Sequence, residues 1–268
     1  MDVSVIIVNY NTKEMTKNCI DSIFEQTSGL TFEVIVVDNA SKDGSKEFFL
    51  KDERIKYVYS NQNLGFGNAN NLGFPYCTGD YVFLLNSDTL LKNNAIKIFF
   101  DFAKFHKSEA CLGSLLLDGN LSLTGSFGKF PTLRSMLYYV LSYNFPRIAK
   151  PAINHPEAKS SFPLEVDFIT GADIFIPRKV IQDYGLFDAD FFMYFEETEM
   201  QYRYSLHGIK RLIIEGPEII HYHGFSSKTK KKNMFGSMMN IHSRLVYAKK
   251  VFSFPSFIVI YLSHWLLI

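Results

Sequence analysis

The chain has the length and composition of a globular protein with a large core. Its 268 residues are 47% hydrophobic and carry a net charge of +1, which excludes the disordered and collagen-like classes. The three cysteines, Cys19, Cys77 and Cys111, show no metal-site spacing and cannot all form disulfides. We therefore predict no zinc site and a reducing, cytoplasmic compartment. A strand pattern begins at Val3 without an apolar leader, so no secretion signal is predicted.

Charge is distributed unevenly along the chain. Residues 226–268 contain seven Lys or Arg residues and no Asp or Glu, so this tail contributes +7 and the remaining residues contribute −6. A basic tail on an acidic body favours a polyanionic partner. We predict an anionic membrane surface rather than nucleic acid, because nothing in the lysine run 228–232 could read bases.

Short apolar runs alternate with helical patterns in the first half of the chain. Strands are predicted at residues 4–8, 32–37, 55–59 and 82–85. Helices are predicted at residues 13–26, 47–51, 68–74 and 93–106. Apolar runs of this length suit strands that are covered on both faces. The alternation predicts an α/β protein with a mostly parallel sheet flanked by helices.

The pattern weakens in the second half. Glycines interrupt residues 111–163, and the aromatic stretch 137–145 is poorly periodic, so variable loops and a short hairpin are predicted there. Regular structure is expected again in four places, which are strands at 166–177, 211–214 and 219–221 and a helix at 196–206.

The final segment is almost wholly apolar. Its eighteen residues, 251–268, are at the lower limit for a bilayer span. A helix in the membrane interface, a helix packed on the body and a homodimer contact are the alternatives. We predict a domain at residues 1–225 and a basic, apolar C-terminal extension at 226–268.

Polar side chains follow four of the predicted strands. The clusters lie at residues 9–11, 38–39, 86–88 and 221–223. Each could be a helix cap, but four together favour a ligand site, since open α/β sheets bind ligands beyond the carboxyl ends of their strands. Asp38 could accept a hydrogen bond from a ring N–H of a base. Asp88, with a later His or carboxylate, could hold Mg²⁺ or Mn²⁺.

The pair Glu196-Glu197 is the candidate for proton transfer. Adjacent carboxylates at a helix start beside a crevice can divide into a base and a positioning group. The alternative is an acidic first turn that complements the helix dipole.

These motifs resemble, in order, those of glycosyltransferase family 2, the inverting enzymes of GT-A fold, and especially its rhamnosyltransferase-like bacterial members. The resemblance covers residues 3–227. It rests on short motifs spread along that range, at residues 8–11, 36–41, 43–45, 63–66, 71–73, 84–89, 171–172, 185–188, 191–194 and 196–203.

The resemblance implies roles for particular residues. The implied nucleotide-binding residues are Asn9, Tyr10, Asn11, Asp38, Asn63, Gly65, Asn71, Asn86 and Ser87. Asp88 is the implied ligand of Mn²⁺ or Mg²⁺, and His221 is preferred to His223 as the second ligand. Gly171 and Ala172 are implied on the acceptor side. Glu197, beside Glu196, stands where the family places the Asp that acts as general base, and Asn86 stands where other members carry an Asp.

The implied activity is transfer of a sugar from a UDP- or dTDP-linked donor to a hydroxyl of a saccharide or lipid-linked acceptor. The setting would be bacterial surface polysaccharide synthesis at the inner face of the cell membrane. The alternatives are a nucleotidyltransferase, which would usually carry a glycine-rich phosphate loop after the first strand, and a catalytically silent nucleotide-sugar binding module. A Rossmann dehydrogenase is not predicted, because no Gly-x-Gly-x-x-Gly follows that strand.

Overall fold

An eight-stranded sheet organises the computed structural model, which describes residues 1–107, 109–144, 161–222 and 234–265. The strands of the described residues are β1 (Val3–Asn9), β2 (Phe32–Asn39), β3 (Ile55–Ser60), β4 (Tyr81–Asn86), β5 (Thr89–Leu91), β6 (Cys111–Gly113), β7 (Phe127–Gly128), β8 (Leu164–Glu165), β9 (Phe168–Ile169), β10 (Asp173–Pro177), β11 (Arg211–Ile213) and β12 (Ile219–His221). The helices are α1 (Lys13–Gln26), α2 (Ser45–Phe49), α3 (Phe66–Gly73), α4 (Ala95–Phe105), α5 (Leu133–Asn144), α6 (Arg178–Tyr184), α7 (Glu196–Ser205), α8 (Met234–Val251) and α9 (Phe254–His264).

The order of strands in the large sheet is β3-β2-β1-β4-β10-β6-β11-β8. The first four are parallel, and β10 joins β4 in the antiparallel direction. The register sets Asn9 beside Asp38 and Val8 beside Asn86. Because these parallel strands end level with one another, their polar residues meet at one edge of the sheet.

Each face of the sheet is covered by its own core. One face packs against α1 and α4 through buried residues that include Ile7 and Phe99. Phe175 stacks on Phe99 with 5.5 Å between ring centroids. The other face packs against α3, α6 and α7 and includes Ile6 and Tyr204. Burying one such side chain stabilises the fold by roughly 1.5–3 kcal/mol, and burial on both faces explains the continuous apolar runs.

The predicted fold class is confirmed, and α1 has its predicted bounds. The prediction of loops at residues 137–145 is wrong, because α5 occupies Leu133–Asn144. Helix α5 buries Met136 and Val140 and exposes Tyr138 and Leu141. Because apolar residues lie on both the buried and the exposed side of α5, its sequence shows no clear amphipathic pattern. Contacts with the C-terminal helices therefore stabilise this helix.

The two C-terminal helices pack on α5 and on the body. A third apolar cluster joins them, formed by Met136, Phe191, Tyr247, Ala248 and Ile260. Among the described residues, no helix combines the length and the apolar character needed to cross a bilayer. His223 and the lysine run 228–232 lie outside the described residues.

Candidate active site

A hydrogen-bond network ties together the loops that follow β1, β2 and β4. The amide of buried Asn9 donates to Ser41 Oγ at 3.0 Å, and its Oδ1 accepts from the hydroxyls of Thr12 at 3.0 Å and Thr16 at 2.9 Å. The Thr12 hydroxyl lies 3.2 Å from Ser87 Oγ. Asn9 and Ser87 therefore hold the edge of the sheet together, and their predicted nucleotide contacts stay predictions.

Asn11 and Tyr10 form the turn after β1. Asn11 adopts a left-handed conformation with φ 56°, and its Oδ1 accepts from the backbone N–H of Lys42 at 2.7 Å. The Tyr10 ring is 46% exposed beside this turn. An exposed aromatic ring at the carboxyl edge of the sheet suits stacking with a base.

Asp38 is fully buried at the end of β2. Its Oδ1 accepts from the backbone N–H of Ser41 at 2.9 Å, and its Oδ2 accepts from the Tyr57 hydroxyl at 2.7 Å. Burial and this hydrogen bond raise the pKa of Tyr57, so the phenol remains a donor. A base N–H would be a third donor to Asp38, whose carboxylate has no exposed surface in this conformation.

The loop after β3 rests directly on the segment that leads to Glu196. Gly65 has φ +82°, and a Cβ added there would lie 1.9 Å from the Phe192 carbonyl oxygen, so only glycine fits. Asn63 Oδ1 accepts from Gly65 N at 3.0 Å. Asn71 both donates to and accepts from the backbone of Phe187, at 2.8 and 3.1 Å. These three residues position loops here, and their assignment to the nucleotide stays a prediction.

Asp88 and His221 meet just beyond β4. The antiparallel pair β5–β12 sets His221 opposite Thr89, which places His221 Nε2 3.1 Å from Asp88 Oδ1. Asn86 Nδ2 lies 3.4 Å from the same nitrogen. No group of three or more His, Cys, Asp or Glu side chains that could hold a metal occurs in the described ranges. A carboxylate and an imidazole fit a divalent cation that takes its other ligands from phosphate oxygens and water.

The two glutamates stand at the start of α7. Glu196 and the Oε2 atom of Glu197 are buried, and within the described residues neither Oε2 has a hydrogen-bond partner. Burial and the charge of Glu197 raise the pKa of Glu196 well above its ordinary 4.5, and burial raises the pKa of Glu197. Two adjacent buried carboxylates do not both ionise readily, so the pair retains a proton to higher pH than a free glutamate.

Gly171 and Ala172 lie between the glutamates and the end of β4. A Cβ at Gly171 would lie 3.8 Å from Glu197 Cβ, and the Ala172 carbonyl accepts from Asn86 N at 3.0 Å. The structure therefore brings Gly171 beside Glu197 and Ala172 beside β4. The assignment of Gly171 and Ala172 to the acceptor side stays a prediction.

Comparison with known proteins identifies the family of the chain. The family model described as glycosyl transferase family 2 matches residues 4–185. The chain belongs to glycosyl transferase family 2. This confirms the membership predicted from the motifs.

Three proteins illustrate how this family 2 chain relates to known ones. Glycosyltransferase GlyG of Streptococcus pneumoniae is 28% identical, over 42% of this chain and 38% of that protein. An N-acetylglucosaminyl-diphospho-decaprenol L-rhamnosyltransferase of Mycobacterium tuberculosis is 24% identical, over 72% of this chain and 67% of that protein. The structure of GalNAc-T7 with UDP, GalNAc and Mn²⁺ has a TM-score of 0.63 at 16% identity, over 83% of this chain and 44% of that chain. The family 2 chain thus spans less than half of GlyG and of GalNAc-T7, and the predicted GT-A fold is confirmed.

The segment that leads to the glutamates, residues 184–195, is here called the entry loop. It ends in two residues with positive φ, Tyr194 at 71° and Phe195 at 67°. Such conformations cost roughly 1–3 kcal/mol each for residues other than glycine. Surrounding contacts must therefore hold the entry loop in place.

Two helices supply those contacts. Arg203 of α7 donates to the carbonyl oxygens of Tyr184 and Leu186, the latter at 2.6 Å. From α8, Lys250 Nζ lies 2.8 Å from carboxylate oxygens of both Asp188 and Asp190. Further contacts come from the Ser243 hydroxyl, which donates to the Met193 carbonyl at 2.7 Å, and from Tyr247, whose ring lies 5.6 Å from that of Phe195.

Sequence reasoning missed the residues of α8 that hold the entry loop. They lie 50 or more positions after the residues that they contact and belong to no motif, so only the folded structure reveals them. It also missed Asp173, a buried side chain whose Oδ2 accepts from Ser114 N and Oγ at 2.8 and 2.6 Å. Burial raises the pKa of Asp173 to about 7. An acidic residue inside the apolar strand 173–177 is the signal that could have marked it.

We expect Lys250→Met to lower kcat by roughly 3- to 10-fold, because small displacements of a positioned group slow a reaction. The KM for the donor should change little, since Lys250 contacts the entry loop and not the strand-end clusters. The loss of stability should be about 1 kcal/mol or less, since both ion pairs are partly exposed. Steady-state kinetics and thermal unfolding measure these effects.

The neighbouring exposed lysine gives a matched control. Lys249→Met removes the same charge one position away and should leave kcat unchanged. Lys250→Arg should restore most of the rate. Equal effects of the two methionine variants would contradict a positioning role for Lys250.

Proposed function

We propose that this chain is an inverting glycosyltransferase that uses a nucleoside-diphosphate sugar. The donor is UDP- or dTDP-linked, and the acceptor is a hydroxyl of a saccharide or a lipid-linked saccharide in bacterial surface polysaccharide synthesis. One observation carries the proposal. The pair Asp88–His221 and the buried pair Glu196–Glu197 are joined through Gly171 and Ala172 at the carboxyl edge of one sheet.

The chemistry follows from the glutamate pair. Glu197 accepts the proton of the acceptor hydroxyl, whose oxygen attacks the anomeric carbon as the bond to the diphosphate breaks. A single displacement inverts the configuration at that carbon and forms no covalent sugar–enzyme intermediate. The raised pKa of Glu197 makes it a stronger base than an exposed glutamate. Protonated Glu196 avoids a second buried charge beside it.

The metal is proposed to bind at Asp88 and His221. A divalent cation there would neutralise charge on the departing diphosphate. The structure of GalNAc-T7 contains UDP and Mn²⁺, which supports the same donor chemistry in this chain. The imidazole favours Mn²⁺ over Mg²⁺, since magnesium prefers oxygen ligands.

The acceptor is proposed to be presented by a membrane lipid. The name of the mycobacterial relative specifies a diphospho-decaprenol acceptor, which supports a lipid-linked acceptor here. The chain would then work on the cytoplasmic side, at the inner face of the cell membrane. The three buried, unpaired cysteines agree with a reducing compartment.

Hydrolysis of sugar nucleotides tests the proposal. UDP-, dTDP- and GDP-sugars are incubated with the purified chain and Mn²⁺ or Mg²⁺, and release of the nucleoside diphosphate is measured. We expect slow hydrolysis of one donor, with a requirement for the metal. Absence of turnover together with absence of metal-dependent nucleotide binding would overturn the proposal and favour a silent binding module.

A further inference from the structure

Helix α9 exposes large apolar side chains, whereas a helix on the surface of a soluble protein exposes mainly polar ones. Its buried side carries Ile260 and His264, which are 0% and 1% exposed. The only polar side chains of α9, Ser256, Ser263 and His264, are buried or partly buried. The Ser263 hydroxyl and His264 Nδ1 both bond to the carbonyl oxygen of Ile260, at 2.7 and 2.8 Å.

The outward side of α9 is entirely apolar or aromatic. Successive residues lie about 100° apart around a helix, which places Phe254, Ile258, Leu262 and Trp265 on one side. Phe254 is 75% exposed, Leu262 61% and Trp265 60%. Val259 and Tyr261 flank this side and are 49% and 39% exposed. These six residues are here called the α9 outer face.

We propose that the α9 outer face lies in the interface of an anionic lipid bilayer. A helix of 11 residues is about 16 Å long, too short to cross a hydrocarbon core of about 30 Å, so it would lie in the plane of the membrane. Trp265 and Tyr261 are the residue types that settle at the level of lipid headgroups.

Charge decides between lipid and a second copy of the chain. The outer face carries no charge, and residues 226–268 hold seven basic and no acidic residues. Exposed Lys249 lies at the end of α8, next to the start of α9. An apolar face with Lys249 beside it, in a segment whose formal charge is +7, matches the acyl and phosphate layers of an anionic membrane. A contact between two copies would bring these basic tails together.

The docking surface is connected to the active site. Helix α9 packs on α8, and α8 holds the entry loop through Lys250 and Ser243. Docking would therefore place the glutamates close to the membrane that carries the acceptor. The placement of the glutamates near the acceptor rests on the proposed function, whereas lipid binding by the α9 outer face does not depend on turnover.

Fluorescence of the full chain tests the proposal, because Trp265 is its single tryptophan. Vesicles of three parts phosphatidylcholine to one part phosphatidylglycerol should shift the emission to shorter wavelength and co-sediment with the protein. Vesicles of phosphatidylcholine alone should bind more weakly. Leu262→Glu should weaken binding at least about tenfold, since binding follows buried apolar area.

Leu50→Glu is the matched control, because Leu50 is 60% exposed directly after α2, away from the C-terminal helices. It should bind vesicles like the wild type. Both variants should hydrolyse the donor at the wild-type rate without lipid, which separates a failure of docking from a failure of the proposed function. Absence of an emission shift with anionic vesicles would overturn the proposal. So would a shift that appears on raising the protein concentration without lipid, which would indicate a contact between copies.

Discussion

Glu197→Gln is expected to lower kcat for sugar transfer by about 10²–10⁴-fold, the usual contribution of a general base. Glutamine keeps the shape of the side chain but cannot accept the proton. The KM for the donor should stay near the wild-type value, because Glu197 lies at the start of α7 and not among the strand-end clusters. Initial rates at varied donor and acceptor concentrations separate the two effects.

The pH profile gives a second test of the same residue. Burial raises the pKa of Glu197 above its ordinary 4.5. Below that raised pKa the base is protonated, so kcat/KM should fall as the pH decreases through a value higher than 4.5. An acidic limb at the ordinary value, or a Glu197→Gln variant with full activity, would show that another group accepts the proton.

The length of the side chain is informative as well. Glu197→Asp introduces the residue that the resemblance implies at this position and withdraws the carboxylate by one methylene. A displacement of about 1 Å can cost roughly a hundredfold, so this variant should be slow if the acceptor site has adapted to glutamate. A faster Glu197→Asp variant would show that the natural chain is itself impaired.

Asp88→Ala is expected to abolish metal-dependent hydrolysis of the donor, lowering the rate at least about 100-fold, which corresponds to about 2.7 kcal/mol of transition-state stabilisation. The structure places Asp88 Oδ1 3.1 Å from His221 Nε2, and these two side chains are the proposed metal site. Losing the carboxylate leaves a lone imidazole, which is a poor site for Mn²⁺ or Mg²⁺. Calorimetry of UDP binding with and without Mn²⁺ should show that the metal no longer strengthens binding.

Asp101→Asn is the control for this variant. Asp101 is an exposed carboxylate on α4, where it pairs with Lys97 at 2.6 Å. Its loss should leave both the rate and the metal dependence unchanged. An Asp88→Ala protein that still responds to Mn²⁺ would remove Asp88 and His221 as the proposed metal site.

The N-terminal half of the fold was predictable because its signals are local. Strands β1, β2 and β4 are buried on both faces, so each contains four consecutive aliphatic or aromatic residues, at 5–8, 34–37 and 82–85. The polar residues that end these strands then meet because parallel strands share one edge. The juxtaposition of Asn9, Asp38 and Asn86 therefore follows from the sequence once the alternation of strands and helices is recognised.

The remainder depends on contacts between distant parts of the chain. Helix α5 has apolar residues on both sides, and its packing with α8 and α9 stabilises it as a helix. Strand β6 has only three residues, and it is recognisable as a strand because it pairs with β10 and β11. Lys250 reaches the entry loop across sixty positions, and no spacing in the sequence reveals that contact.

The contacts of α8 with the entry loop have a consequence for the order in which the molecule becomes functional during synthesis. Strands β1 to β4, which carry Asn9, Asp38 and Asn86, leave the ribosome before the entry loop and can pair with one another at once. The loop that leads to Glu197 emerges later, and Lys250, Ser243 and Tyr247 emerge after it. In a nascent chain these strands can therefore be paired before the entry loop is held, and the loop reaches its final position when α8 docks.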